Sequence, residues 1–207
     1  MIRGKFITLE GVEGVGKTTN LAFIKEHLEK YNIPVVVTRE PGGTLLAEKI
    51  RQLLLDADSE AISEQAELLM MFAARAQHIK HVIEPALAQG NWVISDRFTD
   101  ATFAYQGGGR CMKVSTIEWL EQFVQGPLRP DLTLLLDAPI EVGMARVKKR
   151  AVIDRFEAEK MSFFERVRRG YLVQMELYPE RIKLIKANQP LVEVQRAISE
   201  ALRVLLR

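Results

Sequence analysis

The sequence predicts an α/β fold: one domain on a five-stranded parallel sheet, with helices on its faces. Three observations predict it. Short apolar runs alternate with longer helix-period segments along the chain, the pattern of strands joined by crossover helices. At 207 residues and 47% hydrophobic composition the chain is large enough to bury one substantial core. No repeat, low-complexity stretch or linker divides it, so residues 1–207 read as a single domain.

Residues 5–10 form the first expected strand and residues 18–31 the first helix. Asn32-Ile33-Pro34 punctuates the step to the second strand, residues 35–38. Residues 45–55 are helical by the spacing of Ile50, Leu53 and Leu54. A polar break over 56–63 leads into a long helix whose Leu68, Leu69, Phe72, Arg75 and Ile79 share one broad face. Pro85 opens a short helix ending near Gly90. The third strand, 92–95, runs into Asp96, and a loop containing Gly107–Gly109 precedes a helix over 115–124. The fourth strand is 132–136, ending in Asp137, and the fifth is 181–187. Helices over 140–149, 157–177 and 191–206 complete the chain.

Composition excludes several classes. With 27% charged residues and apolar runs far too short for a bilayer, the chain reads as an ordinary globular protein with no membrane association. A net charge of +2 is too small to argue for nucleic-acid binding. One cysteine, Cys111, precludes an internal disulfide framework and fits a reducing cytoplasm. The first residues show no signal-peptide pattern, and a cytoplasmic location is expected.

Chemistry enters with Gly11-Val12-Glu13-Gly14-Val15-Gly16-Lys17-Thr18, which fits the phosphate-binding loop pattern G-x-x-x-x-G-K-[ST]. It lies between a strand and a helix, as that loop requires. Its glycines let successive N–H groups turn into one concavity, and the following helix N-terminus adds positive potential. Lys17 then reaches the β- and γ-phosphates of ATP, and Thr18 offers its hydroxyl to Mg²⁺. The result is a P-loop NTPase fold. No N-K-x-D or L-S-G-G-Q element is present, which favours a small kinase over a GTPase or transporter ATPase.

Arg39 follows the second strand and Arg97 the third, so both face the crevice at the carboxyl ends of the sheet. Guanidinium forks suit phosphate oxygens, whereas a lone surface arginine commonly pairs with a nearby acid. Asp96 ends an apolar strand, where P-loop proteins place an acid that holds Mg²⁺ directly or through water; a turn cap is the plainer reading. Many arginines without a Ser-His-Asp or Cys-His set match phosphoryl transfer between two anions. A nucleotide acceptor phosphate, with a second pKa of about 6, needs alignment and charge neutralisation but no general base.

Several ordered stretches resemble the thymidylate kinase family, bacterial type. They are Glu10-Gly11-Val12-Glu13-Gly14, Thr38-Arg39-Glu40-Pro41-Gly42-Gly43, Met71-Phe72-Ala73-Ala74-Arg75 and Asp96-Arg97-Phe98. Ala104 to Arg110 (AYQGGGR), Arg129-Pro130-Asp131 and Asp154-Arg155-Phe156-Glu157 extend the likeness over nearly the whole chain. The resemblance implies a nucleoside monophosphate kinase-like fold, ATP, dTMP and Mg²⁺ as reactants, and a homodimer. It assigns Phe72 to stacking on thymine, and Arg75, Thr102 and Gln106 to the polar edge of the base. From the residues alone, Phe72 reads as core packing. Arg39 and Arg97 would hold the acceptor phosphate, with Arg51 alongside. Glu13 would meet the sugar 3′-hydroxyl, and Tyr105 would lie where a ribose 2′-hydroxyl projects.

The basic run 146–150 leads into residues 151–155 and resembles the family's lid, here near 147–158. Val15 stands where the other subtype carries a catalytic arginine, so Arg150, with Arg155, is expected to supply that charge. Phe98 departs from the family's usual tyrosine, and Ala151-Val152-Ile153 is unusually apolar for a lid. His78 and His81 read as surface histidines, Met70 and Met71 as core filler, and Trp92 and Trp119 as packing residues.

Overall fold

The computed structural model describes residues 3–56, 60–147 and 154–206. Its sheet has five parallel strands: β1 (Phe6–Glu10), β2 (Val35–Arg39), β3 (Trp92–Asp96), β4 (Leu132–Asp137) and β5 (Ile182–Lys186). Their order is β2-β3-β1-β4-β5. The chain therefore winds to one side of β1 and then to the other, which opens a crevice at the carboxyl end of β1. Every residue of β1 is buried, as a central strand covered on both faces must be.

Period-two alternation assigns the faces. Ile7 and Leu9 join the larger core with Ile24, Leu28, Leu134, Phe164 and Ile198. Phe6, on the opposite face, packs with Ile79, Ile83, Leu87, Val93 and Phe98. Thr8 and Glu10 share the face of Phe6, and the Thr8 hydroxyl meets that of Thr133 at 2.7 Å.

The helices α1 (Lys17–Glu29), α2 (Leu45–Leu55), α3 (Glu64–His78) and α4 (Glu84–Ala88) fall in the first half. The side chains of Thr44 and Ser63 cap α2 and α3 by accepting from Ala47 N and Ala66 N. In the second half come α5 (Thr99–Thr102), α6 (Val114–Gln125), α7 (Ile140–Val147), α8 (Met161–Leu177) and α9 (Leu191–Leu202).

Three sequence expectations need correction. Leu69 is 57% exposed, so it does not share the buried face of Leu68, Phe72 and Arg75 on α3. Pro85 stands in the first turn of the short helix α4, as expected, but α4 is not detached: α3 runs into it through a π-helical turn, Ile79–Ile83. The wide turn relieves the clash of the proline ring with the carbonyl four residues back. Gly107–Gly109 is not a loop either, because Phe103–Gly109 continues α5 as a π-helical segment. Glycine is needed there for approach to α8. A Cβ on Gly109 would lie 2.5 Å from the Phe163 ring, and one on Gly170 would lie 2.8 Å from Ala104 Cα. Arg166 of α8 then donates to Gly109 O at 2.8 Å and closes the segment's end.

Candidate active site

The carboxyl ends of the strands open into a cleft of about 450 Å³. At one end the loop after β1 folds over itself. Gly14 has a φ of +72°, and a Cβ there would sit 2.1 Å from Gly143 O of α7, so only glycine fits. Gly11 and Gly16 belong to the same turn. Val12 and Val15 are 4% and 2% exposed, their side chains rooted in the core, which leaves only their backbone for a ligand. Lys17 Nζ arches back to Gly11 O and Val12 O, both at 3.0 Å. Burial, then the nearby Arg97 charge, pulls the Lys17 pKa down. Thr18 is exposed on the cleft wall.

Asp96 ends β3 in register with Arg39 of β2, which brings an acid and a base side by side at the sheet edge. Asp96 Oδ1 is buried with no hydrogen-bond partner among the described residues. With the Thr18 hydroxyl on the same wall, that oxygen fits a hydrated divalent cation. Among the described residues no cluster of three or more His, Cys, Asp or Glu side chains could hold a metal. A cation there must take its remaining ligands from phosphate and water.

Arg39, Arg51 and Arg97 all line the cleft, close enough to feel one another's charge. Arg97 has a φ of +71°, uncommon for a non-glycine residue. It donates to Glu13 Oε1 at 2.6 Å and to the Tyr171 hydroxyl at 3.3 Å, with its Cζ 4.6 Å from the Tyr105 ring centroid. Tyr105 in turn donates to Glu13 at 3.0 Å. Arg39 pairs with Glu48, which also accepts from Gly43 N, and Arg51 donates to Pro41 O. Burial, followed by the charges of Arg39 and Arg97, lowers the Arg51 pKa. Cations crowded closely enough to disfavour one another's charge make a site for an anion.

Away from the loop the cleft is also lined by Met71, Arg75, Ala101, Thr102 and Gln106. Arg75, 2% exposed, donates through Nε to Glu40 Oε2 at 2.7 Å, and through Nη2 to Thr102 Oγ1 at 3.0 Å and Phe98 O at 3.2 Å. Its Nη1 has no partner among the described residues. Gln106 Nε2 donates to Glu67 Oε1 at 2.8 Å.

The structure gathers Glu13, Lys17, Thr18, Arg39, Arg51, Arg75, Asp96, Arg97, Thr102, Tyr105 and Gln106 around this one cleft. Phe72 is not brought there. It is 2% exposed and packs with Leu68, Ile117 and Leu120, and its neighbour Met71 takes the cleft wall. One residue along a helix is a turn of about 100°. Arg155 is not at the phosphate end either. It donates to Glu67 Oε2 at 2.7 Å and to Leu54 O at 2.8 Å. Arg150 lies outside the described residues. His78 is corrected too: it is fully buried, while His81 is exposed, so they share no surface. Trp119 is 64% exposed instead of packed inside.

Glu67, which no sequence motif marks, is 1% exposed and gathers Gln106, Arg110 and Arg155. Arg146, the first residue of the basic run, also reaches the cleft wall, where its Nη1 donates to Gly14 O. The pairing of Glu10 and Tyr171 beneath Arg97 went unread as well. Glu67 lies in no motif, Arg146 carries only its place in the basic run, and nothing local pairs Tyr171 with Glu10.

A phosphate-cradling loop with its lysine, an acid with one oxygen unbonded among the described residues, and arginines lining the same cleft define a P-loop phosphotransferase. The thymidylate kinase family model matches residues 9–198. A thymidylate kinase of Pseudomonas entomophila is 57% identical over 199 residues, covering 96% of this chain and 95% of its relative. One from Teredinibacter turnerae is 55% identical over 203 residues, covering 98% and 99%. The crystal structure of thymidylate kinase from Ehrlichia chaffeensis superposes with a TM-score of 0.77 at 34% identity, covering 98% of this chain and 99% of that one. The chain belongs to the thymidylate kinase family.

Proposed function

We infer that the chain transfers the γ-phosphoryl group of MgATP to dTMP, giving dTDP and ADP. The observation that carries this reading is one cleft lined by Lys17, Arg39, Arg51, Arg97 and Arg75, whose Nη1 has no partner among the described residues. A donor triphosphate fits the loop end. The acceptor phosphate fits among the three arginines, and a pyrimidine carbonyl fits against Arg75. Arginine donates only, so a carbonyl oxygen of the base can accept from it there and an exocyclic amine cannot.

Mg²⁺ belongs beside Thr18 and Asp96 in this reading, where it would neutralise phosphate charge. Lys17 and Arg97 orient the reacting groups, and Arg150 brings further positive charge from the lid. The acceptor phosphate is already deprotonated at neutral pH, so positioning and electrostatics carry the step without a general base. Glu13 meets the sugar 3′-hydroxyl, and the Tyr105 ring closes the side on which a 2′-hydroxyl would project. Met71 supplies the apolar floor under the base, with Phe72 one layer below Arg75, whose Cζ is 4.8 Å from the phenyl centroid. Thr102 and Gln106 complete the polar edge.

Trp119 and Phe123 of α6, 64% and 75% exposed and stacked at 5.5 Å, form an exposed apolar face. That face supports a homodimer. Among the described residues no helix is long and apolar enough to cross a membrane, and the single exposed thiol of Cys111 supports a reducing cytoplasm.

ADP release from MgATP alone, and then with dTMP, dUMP, UMP, CMP or AMP, tests the reading. Strong stimulation by dTMP with equimolar dTDP is expected. ADP release indifferent to the acceptor would refute it.

A further inference from the structure

Behind the acceptor end lies a chain of buried polar groups that no reacting atom touches. Glu40, directly after β2, is 4% exposed and divides its carboxylate between two helical residues of α3. Its Oε2 accepts from Arg75 Nε at 2.7 Å, and its Oε1 lies 2.9 Å from His78 Nδ1. His78 is fully buried, and its Nε2 lies 2.6 Å from the Thr38 hydroxyl. An ionised carboxylate only accepts, so Nδ1 carries the proton facing Glu40. In the neutral ring Nε2 is then an acceptor, and the Thr38 hydroxyl donates to it. The tautomer follows from these partners. The loop after Glu40 leaves room for the ring only because Gly43 lacks a side chain: a Cβ there would sit 2.5 Å from the imidazole.

The consequence falls on Arg75. Its Nη2 is held by Phe98 O and Thr102, and its Nε by Glu40, which leaves Nη1 as the one nitrogen of the fork without a partner among the described residues. A carboxylate held through one oxygen can swing about its terminal torsion, which is broad and two-fold. The second tether, from His78, fixes the carboxylate plane and with it the direction of Nη1. We propose that His78 is a positioning residue for acceptor recognition: backed by Thr38 and acting through Glu40, it aims Arg75 Nη1 at a ring carbonyl oxygen of the pyrimidine. The proposal rests on Arg75 reading the base.

Steady-state kinetics on the full chain test it, with His78→Leu, His78→Asn, Thr38→Val and Arg75→Lys measured beside the wild type. Removing the tether in His78→Leu should raise the dTMP KM roughly tenfold, as loss of one hydrogen bond to a charged group implies. The ATP KM should stay constant and kcat should change less than dTMP KM. His78→Asn keeps a donor near the Nδ1 position and should restore most of the dTMP KM. Thr38→Val keeps shape and removes only the outermost bond, so its dTMP KM should rise about two- to threefold.

A dTMP KM at the wild-type value in His78→Leu and Thr38→Val overturns the proposal. So does an asparagine variant no better than leucine with a lowered melting midpoint, which would make His78 a packing residue. Should His78→Leu fail to fold, Thr38→Val and His78→Asn decide by the same readout. An unchanged dTMP KM in Arg75→Lys would mean that the base-reading assignment itself is wrong. A raised KM there, with no change in the His78 and Thr38 variants, would discard the relay alone.

Discussion

The two ends of the cleft are built from different material. At the donor end eight consecutive residues, Gly11–Thr18, present backbone N–H groups and one lysine. At the acceptor end the wall comes from the loop after β2, from α3, from α5 with its π-helical continuation, and from the segment before α8. A site made of contiguous backbone depends on local conformation, and glycines at 11, 14 and 16 specify that conformation directly. A site made of side chains depends on helix phase and on which helix presses against which. The difference is sharpest between Lys17, which sits where its motif requires, and Phe72, which sits one residue out of phase with the cleft.

The largest expected effect belongs to the donor end. Lys17→Met should lower kcat by at least 10²–10³, the order found when one preorganised charge-stabilising donor is removed. dTMP binding, measured calorimetrically without ATP, should be unaffected because the acceptor end is separately assembled. A kcat within tenfold of wild type would remove Lys17 from the transition state and blur the contrast between the ends.

Next come two adjacent residues of α3 expected to fail in opposite ways. Phe72→Ala should cost about 3–5 kcal/mol of stability, the range for emptying a buried aromatic site, read as a lowered urea midpoint. Met71→Ala should leave the midpoint nearly unchanged and raise the dTMP KM about tenfold, since a methionine contact of 1.5–3 kcal/mol is partly given up at a half-exposed wall. If Phe72→Ala instead raised KM at constant stability, the phenyl ring would reach the base after all.

The same contrast explains how much was legible in the sequence. All five strands were, because apolar runs ending in Glu10, Asp96 and Asp137 leave few ways to register a parallel sheet. Arg39, Asp96 and Arg97 were placed at the cleft by the same logic, since a strand end fixes its neighbour's position. The π-helical segment Phe103–Gly109 was not legible: three glycines in a row signal a loop, and only the close approach of α8 turns them helical. Nor was the tie of Arg155 to Glu67, which joins residues 88 apart in sequence, or the burial of His78, which depends on Gly43 leaving space.

A last expected effect lies where the two ends meet. Glu10 ends β1, immediately before the phosphate-binding loop. Its Oε1 accepts from Phe98 N at 2.7 Å, and its Oε2 lies 2.9 Å from the Tyr171 hydroxyl, which also receives Arg97. Burial, then the nearby charge of Asp100, raises its pKa from 4.5 to about 8, against the opposing pull of Arg97 and of the Tyr171 and Phe98 hydrogen bonds. Between those values the folded state holds a proton that the unfolded chain has released. Stability attributable to Glu10 therefore falls as pH rises from 4.5 to about 8 and levels off above that. Glu10→Gln keeps an acceptor for Phe98 N and cannot ionise, so it should lose this dependence. The melting midpoint of the wild type, relative to the variant, should drop steadily through that window. Parallel profiles for the two proteins would mean that Glu10 is ionised in the fold. It would then be a fixed charge facing Arg97 through Tyr171, and the joint between the two ends would be insensitive to pH.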